Sequence, residues 1–246
     1  MSEFVVAVLA LLSMMGAALL GLFSETKLPT EHLQGDTHRV VRRVANLFVV
    51  MTALVLGLML NSAKNTFETN NRDIRTLATE LILLDRTMRA LSPEADDARR
   101  HLIEYVQTSL KGGNILVEDP QAEASLEAAR TSLRAIRLSD EQKIALWNDA
   151  RQLDRQVVRQ RWVVLDEYGR TIPRPLITIV ILWLAVIFAS FGYRAPRNTV
   201  VTAWLCLAAL LISAAIYLIL DMDNPSSGMS QASNVPVQRA LAQLQR

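Results

Sequence analysis

Four stretches of the chain hold no charged residue and no histidine: Phe4–Phe23, Val44–Ala63, Pro175–Tyr193 and Asn198–Leu220. At about 1.5 Å of helical rise per residue, each can cross a hydrocarbon core about 30 Å thick. The first is preceded by Met1-Ser2-Glu3, which offers no basic flank, and no small-x-small pattern surrounds Ser24. It therefore reads as a retained span and not a cleaved signal. The third and fourth stretches are joined only by Arg194-Ala195-Pro196-Arg197, which predicts a tight antiparallel hairpin with Asn198 capping the last span.

The polar remainder is concentrated between the second and third stretches, and its apolar positions keep helical spacing. Asp36 is the expected N-cap of the second helix, and from there no proline interrupts the chain until Ser92-Pro93. One helix of about 55 residues, on the order of 80 Å, is the expectation. Beyond the apolar window it carries a seven-residue rhythm: Phe67, Ile74, Leu81 and Met88 at one position, Asn70, Leu77, Leu84 and Leu91 at the other. Spacings of three and four over four heptads form a packing or oligomer seam with Asn70 as its polar member. Three shorter helices follow. Ser92 caps the first, Asp119-Pro120 opens the second, and Ser139 with Gln142 forms a capping box for the third. After Leu220 the sequence Asp221-Met222-Asp223-Asn224-Pro225 has turn chemistry, and a short amphipathic segment from Val237 to Leu244 closes the chain.

These patterns predict an all-α integral membrane protein with four transmembrane helices and a helical extramembrane bundle between helices 2 and 3. Residues 1–63 hold transmembrane helices 1 and 2, and 64–174 the bundle continuous with helices 2 and 3. Residues 175–220 hold the second transmembrane hairpin, and 221–246 the tail.

Charge narrows the function. The net charge of +2 is the difference between 26 basic and 24 acidic residues, and within 64–174 the two signs are equally numerous and interspersed. That is a solvated helical surface, with no footprint for nucleic acid. The two short loops carry Lys27, Arg39, Arg42, Arg43, Arg194 and Arg197, which favours placing them in the cytoplasm. The bundle has its own flanking cations: Lys64, Arg72 and Arg75 on one side, Arg159, Arg161, Arg170 and Arg174 on the other. The two sets are nearly equal, so charge favours neither side. The one cysteine, Cys206, lies inside the fourth span.

No nucleophile–base pair, phosphate loop or strong metal pattern is present, so no enzyme and no cofactor is expected. Glu31, His32, Asp36 and His38 are metal-capable side chains without a zinc-type spacing. Asp221 and Asp223 are weak calcium candidates, or simply an acidic stop to the last helix. Asp, Glu, Lys, Arg or His within the spans is the usual mark of proton coupling or voltage sensing, and the absence of all five here leaves passive conduction as the form of transport to consider. Along the second span Asn46, Val50, Ala53, Gly57, Asn61 and Lys64 share one mostly small face with polar ends. Such a face either lines a narrow pore with a cation at one mouth or lets helices pack closely.

Several of these residues also carry a resemblance. Asp36-Thr37, Ala53-Leu54-Val55-Leu56-Gly57-Leu58, Leu84-Asp85-Arg86, Trp183, Ser190-Phe191-Gly192, Ala195-Pro196-Arg197-Asn198 and Met222-Asp223-x-Pro225-x-x-Gly228 resemble the bacterial bestrophin-like family of four-span membrane proteins, a domain family of unknown function. The resemblance implies a bacterial inner-membrane, multi-pass protein. By analogy with bestrophins it implies a pentameric anion channel with a helical cytoplasmic block and a pore lined by the second helix. The acidic run that clasps calcium in animal bestrophins is missing, Phe48 is the one aromatic in the second window, and Ser226 stands where family members place an aromatic. Two functions follow. One is a homo-oligomeric passive ion channel embedded in the lipid bilayer, anion-selective where Lys64 faces the pore. The other is a membrane-anchored sensor or scaffold whose bundle binds a protein or ligand.

Overall fold

The computed structural model of the protein describes residues 3–24, 35–111, 118–167, 172–193, 195, 198–223 and 233–246. Among them are eight helices and no strand: α1 (Glu3–Ser24), α2 (Gly35–Ala90), α3 (Asp96–Lys111), α4 (Pro120–Ala135), α5 (Glu141–Glu167), α6 (Arg174–Gly192), α7 (Thr199–Asp223) and α8 (Val235–Leu244). Four of them, α1, α2, α6 and α7, are long and apolar enough to cross a membrane. The all-α membrane architecture expected from the apolar windows is the one observed.

Several helix ends differ from the expectation, each for a local reason. Helix α2 begins at Gly35, so Asp36 is its second residue and not the cap before it. Helix α3 begins at Asp96, four residues past Ser92. The intervening turn is closed by the Asp96 amide donating to the Pro93 carbonyl at 3.2 Å. Helix α5 is capped by Asp140, not by a Ser139–Gln142 box. The Asp140 carboxylate accepts from the Gln142 amide at 3.0 Å, and its carbonyl takes the first helical bond from Ile144. Of two adjacent residues able to cap, the one in register with the helix start prevails. Helix α7 runs on through Asp221 and Asp223, where the sequence reads as a turn. Asp119 and Asn198 act as expected, accepting from the Gln121 and Val200 amides at 2.9 and 3.3 Å.

The chain divides into two compact units, Met1–Thr66 with Thr171–Asp223, and Phe67–Arg170 with Asn224–Arg246. The first contains the four spans. Ala10, Met14 and Ala18 of α1 meet Val180, Leu184 and Phe188 of α6 and Ala209 and Ile216 of α7, with Met59 and Ala63 supplied by α2. Because lipid is as apolar as these side chains, close approach and interhelical hydrogen bonds hold such helices together. Both devices are present. The Ser213 hydroxyl of α7 donates to the Ala7 carbonyl of α1 at 2.6 Å. Gly21 and Gly192 bring α1 and α6 into backbone contact: a Cβ on Gly192 would strike the Ala18 carbonyl, and one on Gly21 would strike the Ala189 carbonyl and the Tyr193 amide.

The second unit is a helical bundle around the predicted seam. Ile74, Leu77, Leu81, Leu84, Met88 and Leu91 are all buried. They share a core with Leu102, Tyr105 and Val106 of α3, Leu126 and Leu133 of α4, Ala150, Val157 and Val164 of α5, and Val237, Ala240 and Leu244 of α8. Phe67 is half-buried at the start of the seam. Asn70 is buried, and its side-chain nitrogen has no hydrogen-bond partner among the described residues. Polar links tie the helices around this core. The Trp147 indole of α5 donates to the Leu133 carbonyl of α4 at 2.8 Å, and Arg151 stacks over its ring at 4.7 Å.

Replacing Gly192 or Gly21 by Leu is expected to destabilise the membrane unit by about 1–3 kcal/mol or more, since backbone cannot yield to the new side chain. Gly16→Leu, where a Cβ meets nothing within 4 Å, is the neutral control. Thermal unfolding of the three variants in one detergent tests the contrast.

Candidate functional site

The six residues singled out on the second span are brought together by the helix itself. At 3.6 residues per turn, Asn46, Val50, Ala53, Gly57, Asn61 and Lys64 fall within an arc of about 80°. All six are exposed, Val50 to 67%. The residues of α2 that enter the membrane unit's core, Met59 and Ala63, lie on another side of the helix. Only 11% of the α2 apolar window is buried inside the chain, against 28–33% for the other three spans. The face is thus a strip of small side chains with an amide at each end and a lysine beyond, largely uncovered by the chain's own helices, with Ala53 bordering α6 and α7.

The neighbouring side of α2 packs on α6 and α7. The Phe48 ring meets the Trp183 indole edge-on at 5.6 Å between centroids, a favoured geometry for aromatic pairs. The Thr52 hydroxyl donates to the Phe48 carbonyl at 2.8 Å, which removes its polarity from the surface. Below this contact a groove of about 250 Å³ runs between α2, α6 and α7, lined by Val49, Leu56, Leu184, Phe188, Leu205 and Ala208 among others. Its walls hold no titratable side chain.

The weak metal candidates have protein partners. Asp223 accepts from the Ile172 amide at 2.7 Å, just ahead of α6, and is buried. Asp221 is buried four residues from Tyr217, whose hydroxyl lies 3.4 Å from its carboxylate. Among the described residues no cluster of three metal-capable side chains occurs. Glu31 and His32 lie outside the described residues, as do the side chains of Asp36 and His38.

The seam residues Ile74 to Leu91, with Asn70, are covered by the chain's own bundle. The bundle also holds charged groups that spacing did not single out. Arg161, 8% exposed, reaches Glu123 at 3.3 Å. Arg130 joins Glu127 at 2.7 Å to Asp154 at 3.3 Å. Burial pushes the Asp154 carboxyl above the usual aspartate range, against the opposing pull of Arg130. The only signal in the sequence was a charged residue on an otherwise apolar helical face, one turn from Val157.

Because the folded-state pKa of Asp154 is raised, the folded state holds its proton to higher pH than the unfolded chain. Stability is fully supported below the ordinary aspartate pKa and falls as pH rises through the raised value. Asp154→Asn is expected to flatten this part of the pH profile, read as thermal midpoints between pH 4 and 7.

Comparison with known proteins adds two findings. The sequence model of the Bestrophin-like domain matches residues 12–237. A crystal structure of a membrane protein superposes with a TM-score of 0.63 over 97% of this chain and 96% of that one, at 13% identity. That likeness speaks for the fold alone. No curated protein matches.

Proposed function

The chain belongs to the bestrophin-like family, and from that premise we propose that it is a homo-oligomeric, passive ion channel of the bacterial inner membrane, with the exposed face of α2 lining the conduit. The observation that carries this reading is the exposure of all six residues from Asn46 to Lys64 on the span least covered by its own chain. Facing lipid, Asn46 and Asn61 would leave amide groups without partners in hydrocarbon. Facing a water-filled lumen shared by several copies, they are hydrated, and the small side chains between them leave room for an ion.

Lys64 then stands at one mouth, where a cation raises the local concentration of anions. No Asp, Glu, Lys, Arg or His lies within the apolar windows, so ions would move down their gradient without proton coupling. The sequence holds no nucleophile–base pair or phosphate loop, and we assign no enzymatic activity and no cofactor. The sensor or scaffold alternative drew on the Phe67–Leu91 seam. Most of that seam is occupied by the chain's own core, which favours the channel.

The detergent-corrected mass of the purified complex tests the premise. Four or more copies of the 27.4 kDa chain are expected, and a monomer or dimer overturns an axial pore. In liposomes, Gly57→Phe is expected to abolish anion flux while leaving the fold intact, because a Cβ on Gly57 meets no other part of the chain within 4 Å. Lys64→Glu is expected to reduce anion flux several-fold relative to cation flux. Unaltered flux in both variants would remove α2 from the conduit.

A further inference from the structure

Asp85, in the Leu84-Asp85-Arg86 stretch, plays no part in the proposed conduit, yet it is a charged residue only 2% exposed. Its two carboxylate oxygens are divided between two arginines. Arg89, one turn along α2, places Nε 2.8 Å from Oδ2, and Arg99 of α3 places Nε 2.6 Å from Oδ1. Both guanidinium groups then point their terminal nitrogens at the end of α8. Arg89 donates to the carbonyls of Gln243 at 2.6 Å and Leu244 at 3.2 Å, and Arg99 donates to the Leu244 carbonyl as well. These carbonyls lie in the last turn of α8, at the negative end of its dipole; that of Gln243 also accepts the Arg246 amide at 3.3 Å.

The rest of the attachment is small. Val237, Ala240 and Leu244, at helical spacing, are the residues of α8 that are fully buried. At the other end the Ser233 amide reaches the Asn71 side chain at 3.4 Å. An isolated helix of ten residues is too short to persist in water, where about 12–15 are needed even for good formers. Its helicity must come from docking.

We propose that α8 is a releasable strap: it is helical only while docked, and the Asp85–Arg89–Arg99 clamp sets how often it lets go. The clamp is built for this. Asp85 is buried, accepts a hydrogen bond from Arg99 Nε and pairs with Arg89 by charge, but the Arg89 and Arg99 side chains remain 37% and 26% exposed. Water can therefore replace the α8 carbonyls as acceptors without dismantling the clamp. Release exposes three fully buried side chains with the partly buried Leu241, and breaks a few hydrogen bonds. Opening the bundle would expose the whole seam. Local opening of the strap is accordingly far less costly than global unfolding.

Hydrogen exchange of the full chain in detergent, read by mass spectrometry on peptides covering 235–246, tests the strap. Peptides covering 102–106 of α3 serve as the internal core reference. The tail amides are expected to exchange at least 100-fold faster than the core amides. Arg99→Ala should speed tail exchange at least tenfold further with the core unchanged, and Arg99→Lys, which keeps the charge but not the fork, should fall between. Equal exchange of tail and core in the natural chain overturns the proposal, as does an Arg99→Ala effect of the same size on both. If Arg99→Ala fails to fold, a chain ending after residue 232 decides. Retention of the bundle's cooperative melting supports a strap, and its loss makes α8 a core element.

Discussion

Every backbone amide and carbonyl within hydrocarbon must find its partner inside the protein, and for a chain with no strand pattern this leaves only the helix. That constraint sets the lengths of α1, α6 and α7, and it carries α2 from an apolar window into a polar one without a break. Helix α2 then has to satisfy two solvents with one geometry. In the bundle its buried side is the heptad seam, where Ile74, Leu77, Leu81 and Leu84 leave no surface exposed. In the apolar window it contributes Met59 and Ala63 to the core and leaves its small face uncovered. The remaining helices are arranged around what α2 buries, and the proposed conduit is what it does not bury.

Much of this was legible in the sequence because burial here follows simple periods. Uncharged runs of about twenty residues mark spans whatever packs against them, and three-four spacing marks a buried stripe whatever buries it. What periodicity cannot supply is the identity of the partner. The Phe67–Leu91 seam reads equally as an oligomer contact and as an intrachain core, and only α3, α4, α5 and α8 lying against it decide. Helix ends were less legible for the same reason. Helix α7 continues past Leu220 because Asp223 has a tertiary partner, the Ile172 amide, that nothing nearby in sequence announces. The helical position of the face from Asn46 to Lys64 was legible, but its exposure was not.

The buried charges show how the bundle tolerates polarity. Asp85 carries two cations, Arg161 reaches Glu123, and Arg130 spans Glu127 and Asp154. A buried ion pair does not guarantee stability, since desolvation can outweigh attraction, but removing one member leaves a charge without compensation. Such pairs therefore fix geometry more than they add free energy. At Asp85 the geometry fixed is the aim of two guanidinium groups, and at Asp154 it is the approach of α4 to α5.

In the membrane unit the contact of Gly21 and Gly192 has a mechanical consequence. Where two helices touch through backbone no side chain can yield, so at this contact α1 and α6 resist sliding and rolling. With the Ser213–Ala7 hydrogen bond pinning α7 to α1, three of the four spans form a stiff frame. Helix α2 shares far less surface with that frame, and an apolar groove separates part of it from α6 and α7. A lateral displacement of α2 would break few contacts and create no unpaired backbone group. If the diameter of any passage through this protein changes, the compliant wall is α2, and the frame is what it moves against.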